Sequence, residues 1–368
     1  EVRGRGDERR QGRSRSRSRT RLAERRLPLE ERTRRIQGGG EGSWRDRRPC
    51  ETMRGFSPAA RQSSTVPSRG LLFGELKRAR SKHEVEHALE ALSQSGGLRE
   101  AKDWNRKISA WSRAGEHSRA VGCLQEMMDA GVAPNVISFS AAISACEKAG
   151  RWQEALRLLQ RMQAVHVAPD VISFSAAMSA CVKGEEWGEA LTLLQRMRET
   201  PGVEPNAWIL RVAILACKGG GRWEQALQLL EEIRRMGEIP NVTSYNMAIS
   251  ACEKAGRSEE ALQLLDRMSD AGVAPGVRGY NAAISACEKA GRWEEALQLL
   301  DRMSDAGVAP DAISYNAAMS ACVKGEEWDK ALYLLQQMRG TPGVEPDVIS
   351  LSVAILACKG SGRWEQAL

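Results

Sequence analysis

One unit of about 35 residues is repeated from residue 101 to residue 368, and this repeat limits the possible folds more than any other feature of the chain. Five of the seven complete units have 35 residues and two have 36. A period of this length indicates an array of similar supersecondary units rather than one globular core. Every complete unit closes on a proline and one further residue, and these last residues are Asn135, Asp170, Asn206, Asn241, Gly276, Asp311 and Asp347.

The unit that opens at Val136 contains two runs of apolar or small residues. Their members are Phe139, Ala142, Ile143 and Cys146 in the first run, and Trp152, Ala155, Leu156, Leu159 and Met162 in the second. Spacing of three and four residues predicts a helix with one buried face for each run. Gly150 separates the two helices, Pro169 cannot continue the second one, and Asp170 is a good N-cap for the next. Each unit is therefore predicted to be a helical hairpin.

A single hairpin buries too little surface to be stable alone, so neighbouring hairpins must stack. We therefore predict an all-α fold, an α-solenoid in which stacked helical hairpins form a right-handed superhelix, with a disordered N-terminal region. Seven repeats are expected over residues 101–347 and a truncated eighth over residues 348–368. No apolar run approaches the ~18 residues that are needed to span a bilayer, so we expect no membrane association.

Composition says little about what the repeats bind. The formal net charge of +7 is misleading, because residues 1–52 contain 17 arginines against nine acidic residues, whereas the repeats are net acidic. Seven of the nine cysteines recur at one position on the predicted buried face of each first helix, and no CxxC spacing is present. Packing accounts for them better than a metal or disulfide motif, so no cofactor or metal is expected.

Residues 1–52 are rich in arginine and serine and lack the hydrophobic residues of a core, so they are predicted to be disordered. An Arg-Ser run of this kind can bind RNA, serve as a kinase substrate, or be a solvated tail. The chain begins with Glu1 rather than methionine. A further interpretation is therefore that residues 1–52 are not translated in the native protein.

Residues 53–100 combine a transit-peptide-like segment with a degenerate helical pair. The stretch 53–74 starts at the first methionine and contains three arginines and no acidic residue, which suits either an organelle transit peptide or a basic linker. Apolar residues between 71 and 92 have the spacing of a helical cap for the array. His83 to His87 matches the HExxH zinc pattern, but no third ligand is evident, so we expect no metal site there.

The repeats resemble the P-type pentatricopeptide repeat family. The resemblance rests on the 35-residue period, on Phe139-Ser140 and Tyr280-Asn281 near the start of their units, on the Gly-Arg break between helices, and on the Pro-Asp end. The tetratricopeptide repeat is the nearest alternative, but it has a period of about 34 residues and a glycine where these units carry isoleucine or methionine. The resemblance covers residues 101–368 and implies single-stranded RNA binding, with one nucleotide per repeat.

By this resemblance, the fifth and last residues of each unit read the edge of one base. An aspartate can accept from the N–H of U or G, whereas an asparagine can donate to the ring nitrogen of A or C. The implied pairs are Asn105 with Asn135 for a pyrimidine, favouring C, Ser140 with Asp170 for G, Ser175 with Asn206 for A, and Asn281 with Asp311 and Asn316 with Asp347 for U. Arg211 with Asn241 fits no familiar pair, and Gly276 leaves Asn246 without a partner. The expected site is 5′-YGANNUU-3′, although N-capping alone would also select Asp or Asn at the last position.

Two further columns of residues carry roles implied by the resemblance. The second residue of a unit wedges against the base, and the matching residues are Ile137, Ile172, Trp208, Ile313 and Ile349. A lysine at the thirteenth position contacts phosphate, and the matching residues are Lys148, Lys183, Lys254, Lys289 and Lys324. A solvated lysine face would produce the second column equally well.

The resemblance implies sequence-specific binding of single-stranded RNA in the processing, stability or translation of transcripts in an organelle, either plastid or mitochondrion. Other RNA-processing proteins are expected partners, and no small-molecule substrate is expected. The alternative is a helical-repeat scaffold that binds proteins. The sequence contains no deaminase or nuclease metal motif, so we expect no enzyme, unless a catalytic domain belongs to a longer chain.

Overall fold

The structure is a computed structural model that describes residues 68–362. The expectations for residues 1–67, including the disordered segment and most of the transit-peptide-like segment, and for the end of the eighth unit lie outside these residues. Within 68–362 the regular secondary structure consists of 17 α-helices, which confirms the all-α prediction. None of these helices is both long enough and apolar enough to cross a bilayer.

The helices form one short N-terminal pair followed by alternating first and second helices of the units, here called A and B helices. The N-terminal pair is α1 (Arg69–Arg78) and α2 (Lys82–Gln94). The A helices are α3 (Ala101–Arg113), α5 (Val136–Lys148), α7 (Val171–Lys183), α9 (Ala207–Gly220), α11 (Val242–Lys254), α13 (Val277–Ala290), α15 (Ala312–Lys324) and α17 (Val348–Gly360). The B helices are α4 (His117–Asp129), α6 (Trp152–Ala164), α8 (Trp187–Glu199), α10 (Trp223–Arg235), α12 (Ser258–Asp270), α14 (Trp293–Asp305) and α16 (Trp328–Gly340).

The A and B helices form two layers. Each A helix packs against the A helices of its neighbouring units, whereas a B helix packs against the A helix of its own unit and that of the next. Neighbouring B helices are farther apart and contact each other through long side chains, as Arg198 of α8 does with Glu232 of α10. The A helices therefore form the more closely stacked of the two layers, and the array is an α-solenoid, as predicted.

Small buried residues allow the A helices to approach closely. In α5, Ala142, Ile143 and Cys146 are fully buried, and the equivalent positions of α7, α9, α11, α13 and α15 repeat this pattern. All eight cysteines in the described part of the chain are buried free thiols. Burial raises the pKa of the Cys146 thiol to about 12, because a thiolate is poorly solvated in this layer. The cysteines therefore pack as small apolar residues.

The last residue of one unit is the N-cap of the next A helix. In α5 the side chain of Asn135 accepts from the backbone N–H of Ser138 over 3.0 Å, and Asp170, Asn206, Asn241, Asp311 and Asp347 cap their helices in the same way. Gly276 provides no side-chain cap for α13. Gly150 adopts a left-handed conformation with φ of 65° between α5 and α6, as its position predicted.

The N-terminal pair packs on the first A helix. Arg69 of α1 binds the buried Asp103 of α3 over 2.6 Å, at the position where most other A helices carry serine. Glu84, within the HExxH match, accepts from the backbone N–H of Arg80, two residues before α2 begins. Across residues 68–362, no group of three or more His, Cys, Asp or Glu side chains could hold a metal ion.

Candidate nucleic-acid interface

Four of the six predicted base-reading pairs are in hydrogen-bond contact at the boundary between units. The amide of Asn281 donates to Asp311 Oδ1 over 3.0 Å, and that of Asn316 donates to Asp347 Oδ1 over 3.1 Å. The longer contacts are Asn105 to Asn135, at 3.4 Å, and Ser140 to Asp170, at 3.3 Å. Stacking of the A helices thus brings together side chains that lie about 30 residues apart in the chain.

The other two predicted pairs are not brought together, and Asn246 lacks a partner as predicted. Ser175 donates to the backbone carbonyl of Ile172 over 2.9 Å. Arg211 forms an ion pair with Glu238 over 2.9 Å, so its guanidinium is held by a carboxylate. Asn246 has no partner at Gly276, and its Oδ1 atom is buried without a hydrogen bond.

The serine at the third position of the A helices belongs to the site, although no sequence pattern predicted a role for it in binding. Ser314 Oγ donates to Asn281 Oδ1 over 2.6 Å, and Ser350 Oγ donates to Asn316 Oδ1 over the same distance. Similar contacts join Ser138 to Asn105 at 2.6 Å and Ser173 to Ser140 at 2.9 Å. The sequence feature that could have identified it is the recurrence of serine three residues after the N-cap, which is typical of a capping box.

Each capping side chain uses only one of its two terminal atoms. Asp311 Oδ1 accepts from the backbone N–H of Ser314 and from the amide of Asn281, and it lies 3.0 Å from the Ser314 hydroxyl. Every hydrogen bond to the other five caps is likewise made by Oδ1. The second atom is a carboxylate oxygen in aspartate and an amide nitrogen in asparagine, so the cap leaves an acceptor in one case and a donor in the other.

Exposure differs between the two members of a pair. Asn105, Ser140 and Asn316 are 9%, 6% and 8% exposed, because they lie between stacked units. Their caps are more accessible, and Asn135 and Asp347 are exposed. The group that each boundary offers to a ligand is therefore chiefly the second atom of the cap.

Large apolar side chains are exposed beside these caps. The second-position residues lie one residue after the N-terminus of their A helix, and their exposed fractions are 63% for Ile137, 60% for Ile172, 50% for Trp208, 63% for Ile313 and 60% for Ile349. Lys102, Thr243 and Arg278 occupy the same position in other units and are exposed as well. An exposed column of this kind, with one member per unit, is available to contact a flat apolar ligand.

The predicted phosphate lysines are partly neutralised by neighbouring units. Lys183, Lys289 and Lys324 form ion pairs of 2.9–3.0 Å with a glutamate of the preceding unit. Lys148 instead donates to the hydroxyl of Ser112 at 3.3 Å, and Lys254 donates to the carbonyl of Gly219 at 3.1 Å. These last two ammonium groups are bound only by neutral partners and keep their charge available for an anion.

Two of the caps are held in the charged form. Burial opposes ionisation of Asp311, but hydrogen bonds from Ser314 and Asn281 outweigh it and lower the pKa of Asp311. The backbone N–H and hydroxyl of Ser350 lower the pKa of Asp347. Both residues are therefore carboxylates at neutral pH and can only accept hydrogen bonds.

The tryptophans that open the B helices pack between units. A Cβ added to Gly184 would lie 2.3 Å from the Trp152 ring, and one added to Gly219 would lie 2.2 Å from the Trp187 ring. The glycines of one unit thus make room for the tryptophan of the preceding unit. These rings contribute to stacking of the array rather than to the surface beside the caps.

Comparison with known families gives several matches to the repeats. The PPR repeat family matches residues 275–324, the pentatricopeptide repeat domain matches residues 103–149, 122–184 and 228–292, and the PPR repeat matches residues 172–200 and 313–340. Together they cover residues 103–200 and 228–340, more than half of the chain. No curated protein matches the chain.

Solved structures share the fold of the array. Two structures of the pentatricopeptide repeat protein PPR10 in complex with an 18-nucleotide psaJ RNA element are each 22% identical, and one of them carries three cysteine-to-serine substitutions. They have TM-scores of 0.64 and 0.63 and cover 82% and 80% of this chain. PPR10 from maize is 21% identical over 82% of this chain, with a TM-score of 0.54. The chain spans 44% of the length of the first two and 48% of the third.

Proposed function

The chain belongs to the pentatricopeptide repeat family, and from this premise we propose that it binds single-stranded RNA sequence-specifically, one nucleotide per repeat. The observation that carries the proposal is the repeated unit boundary, where an exposed second-position side chain stands beside a cap with one uncommitted polar atom. Ile313 and Asp311 form one such boundary. The apolar side chain supplies contact with the face of a base, and the cap supplies a hydrogen bond to its edge.

The uncommitted atom of the cap discriminates between bases by simple complementarity. Asp311 and Asp347 offer an acceptor, which suits the N–H on the pairing edge of U. Asn135 offers a donor, which suits the ring nitrogen of C. Asp170 offers an acceptor beside Ser140, which is small enough to leave room for the larger ring of G. The resulting site remains 5′-YGANNUU-3′, with Arg211, which is bound to Glu238, and Asn246, which has no cap beside it, at the two open nucleotides.

Charge contributes to binding along a second line of residues. Lys148 and Lys254 contact phosphates directly, whereas Lys183, Lys289 and Lys324 must exchange a glutamate for a phosphate. Because the repeats are net acidic, this line provides the local positive charge that RNA requires. Because glutamates partly neutralise this line of lysines, the affinity for RNA depends more on contacts with the bases and less on contacts with the phosphate backbone.

We place this activity in an organelle, where the bound protein would protect an RNA end, block a nuclease or keep a translation start unpaired. Occupation of the site is sufficient for each of these effects, and no catalytic step by residues 101–368 is proposed. Additional RNA-processing proteins are the expected partners.

A protein-binding scaffold is the second candidate. It is favoured by the burial of Asn105, Ser140 and Asn316 between units and by their existing hydrogen bonds. In that case the same contacts would serve only to join the repeats, and the exposed isoleucines would contact a protein.

Binding of a defined RNA separates the two candidates. The heptamer 5′-CGAAAUU-3′, a scrambled heptamer of the same composition, and the duplex form of the first are titrated against the full chain. Sequence-specific RNA binding predicts tightest binding to the single-stranded cognate heptamer. Equal affinity for cognate and scrambled RNA, or no binding, would rule out base reading and leave the scaffold.

A further inference from the structure

The third-position serine of one unit contacts the fifth-position side chain of the unit before it. Resting on the RNA-binding function proposed above, we infer that this serine is a positioning residue for base recognition, because it fixes the orientation of the fifth-position amide. Ser314 acts on Asn281, and Ser350 acts on Asn316. The serine, which lies in the next A helix, is thus a third side chain beside the asparagine and aspartate of each pair that reads U.

The hydrogen bonds around Asn281 define its orientation. Ser314 Oγ accepts from the backbone N–H of Asp311 over 3.1 Å, so its own proton is left to donate. Asn281 Oδ1 lies 2.6 Å away and Asp311 Oδ1 lies 3.0 Å away, which favours donation to the asparagine. The Asp311 carboxylate, an acceptor only, takes the amide N–H of Asn281 over 3.0 Å. The amide is therefore held with oxygen toward the serine and nitrogen toward the aspartate.

Orientation of this amide matters because U and C present opposite groups to it. The pairing edge of U carries a ring N–H beside a carbonyl, whereas that of C carries a ring nitrogen acceptor beside an amino group. An asparagine that could flip by 180° would exchange its donor and acceptor and accommodate either base. An asparagine held at both ends can match only one of them.

Two units provide natural exceptions. Ile209 replaces the serine after Ser175, and Gly279 replaces it after Asn246. In the second case Gly276 also removes the cap, and Asn246 Oδ1 is buried without a partner. A Cβ built on Gly279 would lie 2.8 Å from this oxygen, so the amide now occupies space that the side chain of a serine fills elsewhere. The unit loses both groups that would orient its asparagine.

A purely structural role for the serine is the competing explanation, because it also belongs to the helix cap. Ser244 offers a matched control. It is as fully buried as Ser314, and its hydroxyl donates to its cap, Asn241, over 2.9 Å. The fifth-position residue of the preceding unit, Arg211, forms an ion pair with Glu238. Ser244 therefore supports a helix cap without contacting the fifth-position side chain of the preceding unit.

The first experiment compares Ser314→Ala with Ser244→Ala in the full chain. Affinities are measured for 5′-CGAAAUU-3′ and for forms with C at the sixth or the seventh nucleotide, together with the melting temperature of each variant. Loss of one orienting hydrogen bond should lower the U-to-C affinity ratio at the sixth nucleotide of Ser314→Ala by roughly three- to tenfold. The ratio at the seventh nucleotide should not change, and Ser244→Ala should alter neither ratio while lowering the melting temperature similarly.

An unchanged ratio at the sixth nucleotide in Ser314→Ala would overturn the positioning role, even if the variant melts earlier. A different result would affect the proposed function itself. If the unmodified chain binds RNA without preferring U to C at the sixth and seventh nucleotides, base reading fails, and the serine has nothing to position.

The second experiment restores the missing groups. Gly276→Asp alone and Gly276→Asp with Gly279→Ser are compared for preference at the fifth nucleotide. The single variant should gain a weak preference for U, and the added serine should strengthen it by roughly three- to tenfold. Equal preference in the two variants would show that the aspartate suffices and that the serine contributes nothing to recognition.

Discussion

Asn281 and Asp311 are 30 residues apart in the chain, yet the amide of Asn281 donates to Asp311 Oδ1 over 3.0 Å. The same oxygen begins α15 by accepting from the backbone N–H of Ser314 over 2.9 Å. One atom thus caps a helix and holds a side chain of the preceding unit. Capping and base reading are therefore compatible roles for the last residue of a unit, since the second carboxylate oxygen remains for the base.

Replacing that second oxygen should change base preference without unfolding the array. In Asp311→Asn, Oδ1 still caps α15, and the free atom becomes a donor. Because Asn and Asp cap helices about equally well, the free energy of unfolding should change by less than about 0.5 kcal/mol. Preference at the sixth nucleotide should move from U toward C in competition binding. Retained preference for U in a folded variant would mean that Asp311 does not read the base.

Removing an exposed second-position side chain should weaken RNA binding alone. Ile313 is 63% exposed, so Ile313→Ala should leave thermal stability nearly unchanged. Losing about 1 kcal/mol of apolar contact with the base would lower affinity roughly fivefold. Tyr333, 60% exposed on α16 and away from the caps, supplies the comparison. If Tyr333→Ala weakens RNA binding as much as Ile313→Ala does, the weaker binding comes from a general loss of exposed apolar surface and not from the loss of a base contact.

The sequence predicted what repeats within one unit. The helical spacing of apolar residues predicted the hairpin, and the Asp or Asn at the end of a unit predicted the N-cap. The second-position isoleucines are exposed, as residues that contact a ligand must be. Contacts between units were not visible, because they join residues 30–36 positions apart whose partners depend on how the helices stack. Ser314 forms a capping box with Asp311, and its contact with Asn281 depends on the stacking of two units.

Two other columns show the same limit. The thirteenth-position lysines could be recognised, but their glutamate partners in the preceding unit, such as Glu288 for Lys324, could not. Gly184 is the C-cap of α7, a position where glycine is common, but its small size is required by the Trp152 ring of another unit. Such features depend on the distance between neighbouring units, which a pattern within one unit does not encode.

The charge of Lys254 should contribute to the salt dependence of RNA binding. Its ammonium group contacts only the carbonyl of Gly219, so a phosphate can bind it without displacing a carboxylate. Lys254→Gln should reduce the slope of log affinity against log salt concentration by about 0.7, the value for one phosphate contact with a single strand. Arg235→Gln, at an exposed position on B helix α10, should leave the slope unchanged. Equal slopes for Lys254→Gln and the unmodified chain would place Lys254 outside the phosphate path.

The buried cysteines should resist alkylation while the array is folded. Burial raises the pKa of Cys181, Cys217 and Cys252 from 9.0 to about 12. At pH 8.5 these thiols are therefore neutral as well as inaccessible. In a Cys50→Ser chain, iodoacetamide should label none of them until denaturant is added, as measured by mass spectrometry. Because the folded-state pKa values are raised, stability should be full below pH 9.0 and should fall as pH rises toward 12.

Packing between units can be tested with two glycines that differ only in their surroundings. A Cβ at Gly219 would lie 2.2 Å from the Trp187 ring, whereas one at Gly122, in B helix α4, would meet nothing within 4 Å. Gly219→Ala should therefore destabilise the array by roughly 1–3 kcal/mol through overpacking. Gly122→Ala should stabilise it by roughly 0.5–1 kcal/mol, since alanine is the better helix former. Chemical denaturation measures both, and equal stabilisation by the two changes would mean that Trp187 does not hold neighbouring units in register.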